Sequence, residues 1–390
     1  MERTFISKNP SVLWFLLGLS VFTVVVTITS EAAGTALIST SFLKTLGKTL
    51  CLCLVAIAMD VVWGYCGILS LGHFAFFGIG GYAIGMWLMY DRTKDIVVAS
   101  LENNVLPATP DEITHAIGTQ IFGVVGSAEF PMIWAFSHSL TLQLLAVVIV
   151  PGLLALVFGW LAFRSRVAGV YLSILTQAMT LALSLYFFQN DTGLRGNNGL
   201  SGLQNIPGLE TVSQATLSLW FFWASAAALA GGYLLFAWMT AGKFGSVIRA
   251  IRDNEARVRF LGYHVESYKL FIFTITAMVA GVAGALYYPQ AGIINPAEIA
   301  PIASIYLAVW VAIGGRGRLY GAVIGAAVVS LMSSWFTGGS APDINLGLYV
   351  IKWTDWWLVL LGLTFVAVTL FFPKGIGGLF DLLPHKGGRS

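Results

Sequence analysis

Long apolar runs without a charged residue recur along the whole chain, and they constrain its fold more than any other feature. Ser11 to Ser30, Leu140 to Ala162 and Leu217 to Thr240 are examples. Each supplies about 20 residues, which is the length that crosses a bilayer as a helix. Hydrophobic residues make up 57% of the chain and charged residues 10%, too few charges for a water-soluble surface. The sequence therefore predicts an all-α polytopic membrane protein.

The hydropathy pattern predicts about 8 to 10 transmembrane helices in a single integral-membrane domain, residues 1–390. The segment Ile302 to Gly314 and the pair of segments around Gly64 to Gly67 are short enough to be broken or re-entrant helices instead. The first run lacks a cleavage site and is expected to stay as a helix. The candidate spans are residues 11–30, 46–63, 66–90, 139–162, 168–188, 217–240, 268–288, 302–314, 320–336 and 356–372.

The distribution of basic residues predicts the orientation. If both termini are cytoplasmic, most of the 21 Lys and Arg residues fall in cytoplasmic segments, as the positive-inside rule requires. Residues 91–138 then form a periplasmic excursion, and residues 241–267 form a cytoplasmic loop. The net charge of +3 is too small to indicate a nucleic-acid partner.

Several catalytic motifs are absent from the sequence. It contains no G-x-x-x-x-G-K-[ST] phosphate loop, so energy from ATP would have to come from another chain. It also lacks H-E-x-x-H and G-x-S-x-G, which argues against a membrane-embedded enzyme. Cys51, Cys53 and Cys66 stand among apolar residues and are interpreted as inert buried thiols. We therefore expect no metal, no cofactor and no catalytic residue in this chain.

The loop at residues 241–267 predicts a short amphipathic helix. No Gly or Pro interrupts residues 246–261, and Gly262 is positioned to end the helix. Its apolar residues recur at spacings of three, four and seven, which predicts one apolar face. Such a helix fits a groove on a peripheral protein, or it lies on anionic membrane lipid. The residues of this predicted face are Val247, Ile251, Val258 and Leu261.

The stretch R-A-I-R-D-N-E-A-R-V-R-F-L-G-Y at 249–263 resembles the cytoplasmic coupling loop of the branched-chain amino acid and urea ABC permeases. The E-A-A pattern of ABC importers is matched by Glu255 and Ala256, whereas Arg257 replaces the second Ala. The resemblance implies that the loop docks on an ATPase subunit. The residues it assigns to coupling are Arg249, Arg252, Asp253, Asn254, Glu255, Ala256, Leu261 and Gly262.

A second block, D-V-V-W-G-Y-C-G-I-L-S-L-G-H-F-A-F-F-G-I-G-G-Y at 60–82, is similar to the glycine-rich signature of the same family. Its glycines, including the pair Gly81 and Gly85, allow close approach of helices. Asp60 and His73 are costly at membrane depth unless they face a partner or water, so both are candidates to line the translocation pathway. Alternatively, Asp60 caps a helix end. Further candidates from this block are Trp63, Tyr65 and Ser70.

A third block, residues 171–203, resembles the urea branch of the family because it contains Q-N-D-T-G followed by Asn-Asn-Gly-Leu. A small neutral diamide needs amide, hydroxyl and carbonyl partners, and Thr176, Gln177 and Thr180 supply such groups near one face of a span. Ser184 lies on the same face. Polar side chains also hold helices together, which is an equally good explanation for each of them.

A fourth patch, residues 312–326, contains a second break at Gly314 and Gly315. Inverted-repeat transporters place interrupted helices of their two halves around a central site, so internal pseudosymmetry is a hypothesis here. Arg316 and Arg318 are otherwise explained as cytoplasmic anchors.

Taken together, the resemblance implies the permease subunit of an ATP-driven importer in the bacterial inner membrane, with urea as the first choice of solute. It implies as partners a second homologous permease, two cytoplasmic ATPases that carry ATP and Mg, and a periplasmic solute-binding protein, within membrane lipid. A branched-chain amino acid importer is the alternative. An ion-coupled secondary transporter, with Asp60 and His73 as a proton relay, is a remote one.

Overall fold

The computed structural model describes residues 9–35, 37–102, 109–123, 130–167, 169–338, 344–345, 350–371 and 375–378. Seven of the helices in these ranges are long and apolar enough to cross a membrane. The prediction of an all-α polytopic membrane protein is confirmed. The helices are α1 (Pro10–Thr29), α2 (Thr40–Asp60), α3 (His73–Glu102), α4 (Pro110–Phe122), α5 (Leu140–Arg164), α6 (Val170–Phe188), α7 (Gln214–Ala241), α8 (Lys243–Phe260), α9 (Val265–Ala291), α10 (Pro301–Gly314), α11 (Leu319–Thr337) and α12 (Trp353–Phe371).

Strands are short in the described residues. Strand β1 (Leu200–Ser201) pairs antiparallel with β2 (Ile293–Ile294), and β3 (Ile344–Asn345) pairs antiparallel with β4 (Val350–Ile351). The β1–β2 pair joins the connection before α7 to the turn after α9. It therefore fixes two distant connections to each other at one end of the helix bundle.

The centre of the bundle is formed by α2 and α9. Helix α2, together with the π-helical turn Val61–Tyr65 that continues it, is 89% buried over its most apolar window, whereas α1 is 11% buried. Helix α2 packs against α7, α9 and α11, and α9 packs in addition against α3 and α5. The outer helices expose large apolar side chains such as Leu145 and Leu153 on α5. Exposed apolar side chains on the outside are what lipid requires.

Close packing of α3 against α9 depends on glycine. A Cβ atom at Gly80 would lie 2.1 Å from the carbonyl oxygen of Gly281, and one at Gly284 would lie 1.8 Å from that of Phe77. Neither position has space for a side chain. The prediction that the glycines of this block permit close approach of helices is confirmed at these contacts.

The predicted span at residues 66–90 begins too early. Helix α3 starts at His73, and residues 66–72 are not helical. Gly67 has φ +80, a left-handed conformation that interrupts a right-handed helix. Hydropathy did not detect this break because an unwound apolar segment has the same composition as a helical one. The alternative of a broken helix around Gly64 to Gly67 describes it better.

The excursion predicted at residues 91–138 is largely helical in its described part. Helix α3 continues to Glu102, and Thr109 opens α4 with a capping box that includes Glu112. Helix α4 buries Ile117 and Ile121, and the indole nitrogen of Trp134 donates to the carbonyl oxygen of Gly193 at 2.8 Å. The segment is thus packed onto the bundle. Its location in the periplasm stays a prediction.

Candidate functional site

The loop helix α8 consists of two helical pieces. Asn254 has φ −158 and ψ 93, which is extended backbone, and it separates Lys243–Asp253 from Glu255–Phe260. Its side-chain oxygen accepts a hydrogen bond from the Arg257 backbone nitrogen at 3.0 Å, the position of an N-cap bond for the second piece. The prediction of an uninterrupted helix over residues 246–261 is therefore wrong, because Asn254 favours a local cap over helix continuation.

The end of the loop helix was predicted correctly. Gly262 has φ +86, and the backbone nitrogens of Gly262 and Tyr263 donate to the carbonyl oxygens of Arg259 and Val258. This pair of bonds is a Schellman motif, which ends helices at a left-handed residue. Gly262 belongs to this motif because a residue with a Cβ atom is disfavoured there.

The apolar face of the loop helix is confirmed in part. Ile251 and Val258 are buried with Val265 of α9, and Val247 packs against them. Leu261 does not belong to this face, since it lies beyond the helix and is 71% exposed. The break at Asn254 and the helix end at Phe260 shift Leu261 away from the other three residues.

A chain of four charged side chains attaches the second piece of the loop helix to α9. Lys269 Nζ donates to Glu255 Oε2 at 2.5 Å, and Arg259 Nη2 donates to Glu255 Oε1 at 2.7 Å. Arg259 also pairs with Glu266. Burial favours a raised pKa for Glu255, but the hydrogen bonds from Lys269 and Arg259 outweigh it and lower that pKa. Glu255 is therefore directed toward its own protein.

The outward surface of the loop helix has an apolar tip. Phe260 is 92% exposed and stands beside the exposed Leu261, while Asp253, Ala256 and Arg257 are exposed along the helix. Phe260 was not among the predicted coupling residues. Its position next to Leu261, outside the spacing of the buried face, is the sequence signal that identifies it. An exposed aromatic beside charged residues is the composition of a docking surface.

Two arginines of the loop helix point into the permease. Arg249 Nη1 donates to the carbonyl oxygen of Thr240 at 2.9 Å, at the end of α7. Arg252 Nη1 donates to the carbonyl oxygen of Gly64 at 2.7 Å, in the π-helical turn that ends α2. The loop helix is therefore connected directly to the broken end of the most buried helix.

That end of α2 meets the second glycine break. The backbone nitrogen of Gly317 donates to Asp60 Oδ1 at 2.7 Å, and the Arg316 guanidinium lies 5.2 Å from the centre of the Trp63 ring. Asp60 is fully buried. Together with Gly64 and Arg252, these residues form what we call the break junction. The two breaks are in contact, although an inverted repeat stays a hypothesis.

The unwound segment at residues 66–72 is held by hydroxyl groups of α6. Ser173 donates to the Leu69 carbonyl oxygen at 2.7 Å, and Thr180 donates to the Leu71 carbonyl oxygen at 3.2 Å. Thr176 accepts from the Leu71 backbone nitrogen at 3.0 Å. Non-helical backbone is tolerated at membrane depth only when its polar groups find such partners. Thr176 and Thr180, predicted as pathway residues, thus have a structural role. Ser173 shares this role and was not among the residues predicted from the sequence.

The other pathway candidates lie in three places. Trp63, in the break junction, and Tyr65, two residues further along, are half-buried, whereas Gln177 is half-buried on α6. Ser70 and His73 are fully buried, and His73 Nε2 lies 3.3 Å from Thr276 Oγ1 of α9. The structure therefore does not bring all of these residues to one wall. Which of them line a pathway stays a prediction.

Cysteine and metal chemistry have no counterpart in the part of the chain that the structure describes. Cys51, Cys53 and Cys66 are free and buried. No group of three or more His, Cys, Asp or Glu side chains there is placed to hold a metal ion. The charges that do cluster are those of the loop helix and the break junction.

A bundle of membrane-spanning helices with interrupted spans and a charged loop helix defines a multi-pass membrane protein. Residues 41–369 match the family described as branched-chain amino acid transport system / permease component, and the chain belongs to that family. Its members are ABC transporter permease subunits, which are not themselves enzymes. The prediction of a transport subunit without catalytic activity is confirmed by this membership.

Curated relatives match a smaller part of the chain. The autoinducer 2 import system permease protein LsrC of Photorhabdus laumondii is 29% identical over 145 residues, 35% of this chain and 40% of that protein. The probable branched-chain amino acid transport permease protein LivH of Methanocaldococcus jannaschii is 30% identical over 151 residues, 39% of this chain and 45% of that protein. The chain thus covers less than half of each relative. No solved structure matches it.

Proposed function

We propose that the chain is a permease subunit of an ATP-driven importer in the bacterial inner membrane and that its solute is urea. The observation that carries the proposal is the loop helix α8, which presents the exposed Phe260 and Leu261 outward and binds the broken end of α2 through Arg252. A force applied to its outer surface reaches the membrane-embedded break directly. That is the arrangement an ATPase-driven permease requires.

The partners follow from the family. An ABC permease without its own phosphate loop depends on ATPase subunits that bind ATP and Mg, and two of them would dock on the loop helices of two permease chains. A periplasmic solute-binding protein would deliver the solute at the other side. In this arrangement the loop helix faces the cytoplasm, and both termini lie on that side too.

Urea is favoured by the resemblance of residues 171–203 to the urea branch and by the lack of a charge clamp on α6, where Ser173, Thr176 and Thr180 are neutral. The alternative cargo is a branched-chain amino acid, which is the transport named for the matching family and for the LivH relative. Uptake of radiolabelled urea and leucine by a strain that lacks its own permeases distinguishes the two. Leucine uptake without urea uptake would show that the solute is a branched-chain amino acid and not urea.

Docking is tested at the apolar tip of the loop helix. Phe260→Ala should reduce copurification of the ATPase with the permease by about tenfold or more, because a buried aromatic at an interface contributes about 2 kcal/mol. Met132→Ala is the matched control, since Met132 is 93% exposed and far from the loop helix in sequence. Normal ATPase association and normal uptake in Phe260→Ala would contradict the proposal.

ATP dependence separates the proposal from an ion-coupled transporter. We expect solute uptake to stop when the partner ATPases are deleted and to continue when the proton gradient is collapsed with ATP maintained. Uptake that follows the proton gradient and survives loss of the ATPases would support Asp60 and His73 as a proton relay instead.

A further inference from the structure

A cavity of about 230 Å³ lies between the central helices and touches α2 near its middle. Leu52 contributes to its wall and stands twelve residues before Gly64, about 18 Å along a helix. Helices α3, α9, α10 and α11 and the turn Pro296–Ile299 supply the rest. The principal lining side chains are Phe74, Tyr287, Glu298, Tyr306, Trp310 and Ser330.

Two polar groups of this cavity lack a protein partner among the described residues. The indole Nε1 of Trp310 is buried and has no hydrogen-bond partner. Glu298 is half-buried and takes part in none of the ion pairs found in the described ranges. A buried indole N–H without a partner, in the same cavity as a half-buried carboxylate without an ion pair, indicates a ligand that accepts from the first and donates to the second.

The hydrogen-bonding groups of the lining and the volume of the cavity restrict the ligand. A carboxylate accepts N–H donors, an indole N–H donates to an oxygen, and hydroxyls of Tyr287, Tyr306 and Ser330 do either. The volume is smaller than the 300–1,000 Å³ typical of drug-sized ligands, so the occupant is small.

We propose that this cavity, with Glu298 and Trp310 as its specificity-determining residues, binds a small solute that carries N–H donors beside a carbonyl or carboxylate oxygen. Urea and a zwitterionic amino acid share this chemistry. The inference rests on the proposed import function and adds a binding site to it. Glu298 lies in the turn Pro296–Ile299, which follows the end of α9 opposite the loop helix, where a delivered solute would enter first.

The test uses the complete importer in cells and measures initial rates of urea and leucine uptake over a range of concentrations. Glu298→Gln removes the charge at constant shape, and Trp310→Phe removes the N–H while keeping an aromatic wall. We expect each substitution to raise KM for the imported solute about tenfold or more, since each removes one hydrogen bond of the ligand. Glu210→Gln, at an exposed acid in the connection before α7, is the control and should leave KM unchanged.

The outcomes separate the two proposals. Unchanged KM in both variants, with the wild-type chain active, would overturn the binding site and leave the import function standing. No ATP-dependent uptake of either solute by the wild-type importer would overturn the import function and the site with it. Membrane abundance is measured for every variant, and if Glu298→Gln does not reach the membrane, Trp310→Phe decides. The solute that the wild-type importer takes up shows whether the ligand of the cavity is urea or an amino acid.

Discussion

Replacing Gly64 by Ala should separate the two helix breaks. A Cβ atom at Gly64 would lie 2.2 Å from Asp60 Oδ1, 2.3 Å from the Gly317 nitrogen and 2.7 Å from the Gly317 Cα atom. Two of these atoms are backbone and cannot rotate away. Overpacking of this kind costs about 1–3 kcal/mol. If Gly317 moves, the buried Asp60 also loses its hydrogen bond, at about another 1–3 kcal/mol.

The sum is about 4 kcal/mol, which in a chain of 390 residues lowers the melting temperature by about 5 °C or more. The matched control is Gly231→Ala, a helical glycine of α7 with no atom within 4 Å of the added methyl group. Alanine there should stabilise by about 0.5–1 kcal/mol. Thermal melting of both purified variants in one detergent checks the difference. Equal melting temperatures for the two would refute the contact between the breaks.

Three further substitutions test the loop helix and the unwound segment. Glu255→Gln should lower by about 2 kcal/mol the free energy that holds the second piece of α8 on α9, a value between those of exposed and buried ion pairs. Faster hydrogen exchange of α8 would show this loss. Because the Glu255 pKa is lowered from 4.5, the same stabilisation is present above pH 4.5 and is lost as the pH falls through the lowered value. Equal protection factors for α8 at pH 7 and in acid, after correction for the intrinsic exchange rate at each pH, would contradict this. Thr176→Val should lower the melting temperature, because the Leu71 nitrogen loses its partner at about 1–3 kcal/mol, whereas Gln177→Leu should leave it unchanged. Gly262→Ala should lower the free energy of unfolding by about 1–2 kcal/mol, because its φ is +86, and should weaken ATPase association. Unchanged ATPase binding would show that docking does not depend on the Schellman motif.

Hydropathy predicted most of the fold because lipid imposes a simple requirement, namely about 20 apolar residues for each span. It placed α5, α6 and α11 within a few residues of their observed ends. It failed at the start of α3, where the unwound backbone depends on hydroxyls of α6 about a hundred positions later in the chain. Partners so distant in sequence leave no local pattern.

The site was predicted unevenly for a similar reason. The spacing of Ile251 and Val258 and the position of Gly262 are local features, and both predictions are confirmed. The direction of a charged side chain is not local, since Glu255 bonds Lys269 and Arg252 bonds a carbonyl group of α2. The contact between the breaks at Gly64 and Gly317 could not be predicted from the sequence either, although both breaks were recognised from their glycines.

Helix α1 stands apart from this machinery. Its aromatic residues Phe15 and Phe22 contact Tyr233 and Phe222 of α7, while most of its surface faces outward, and the family match begins at residue 41, after α1 has ended. The Trp223 indole nitrogen of α7 also donates to Thr27 Oγ1 at 2.9 Å, and packing together with such hydrogen bonds is what holds helices to each other in lipid. The amino-terminal pass is thus attached to the bundle along α7 by one face, and its remaining surface is left for lipid to cover.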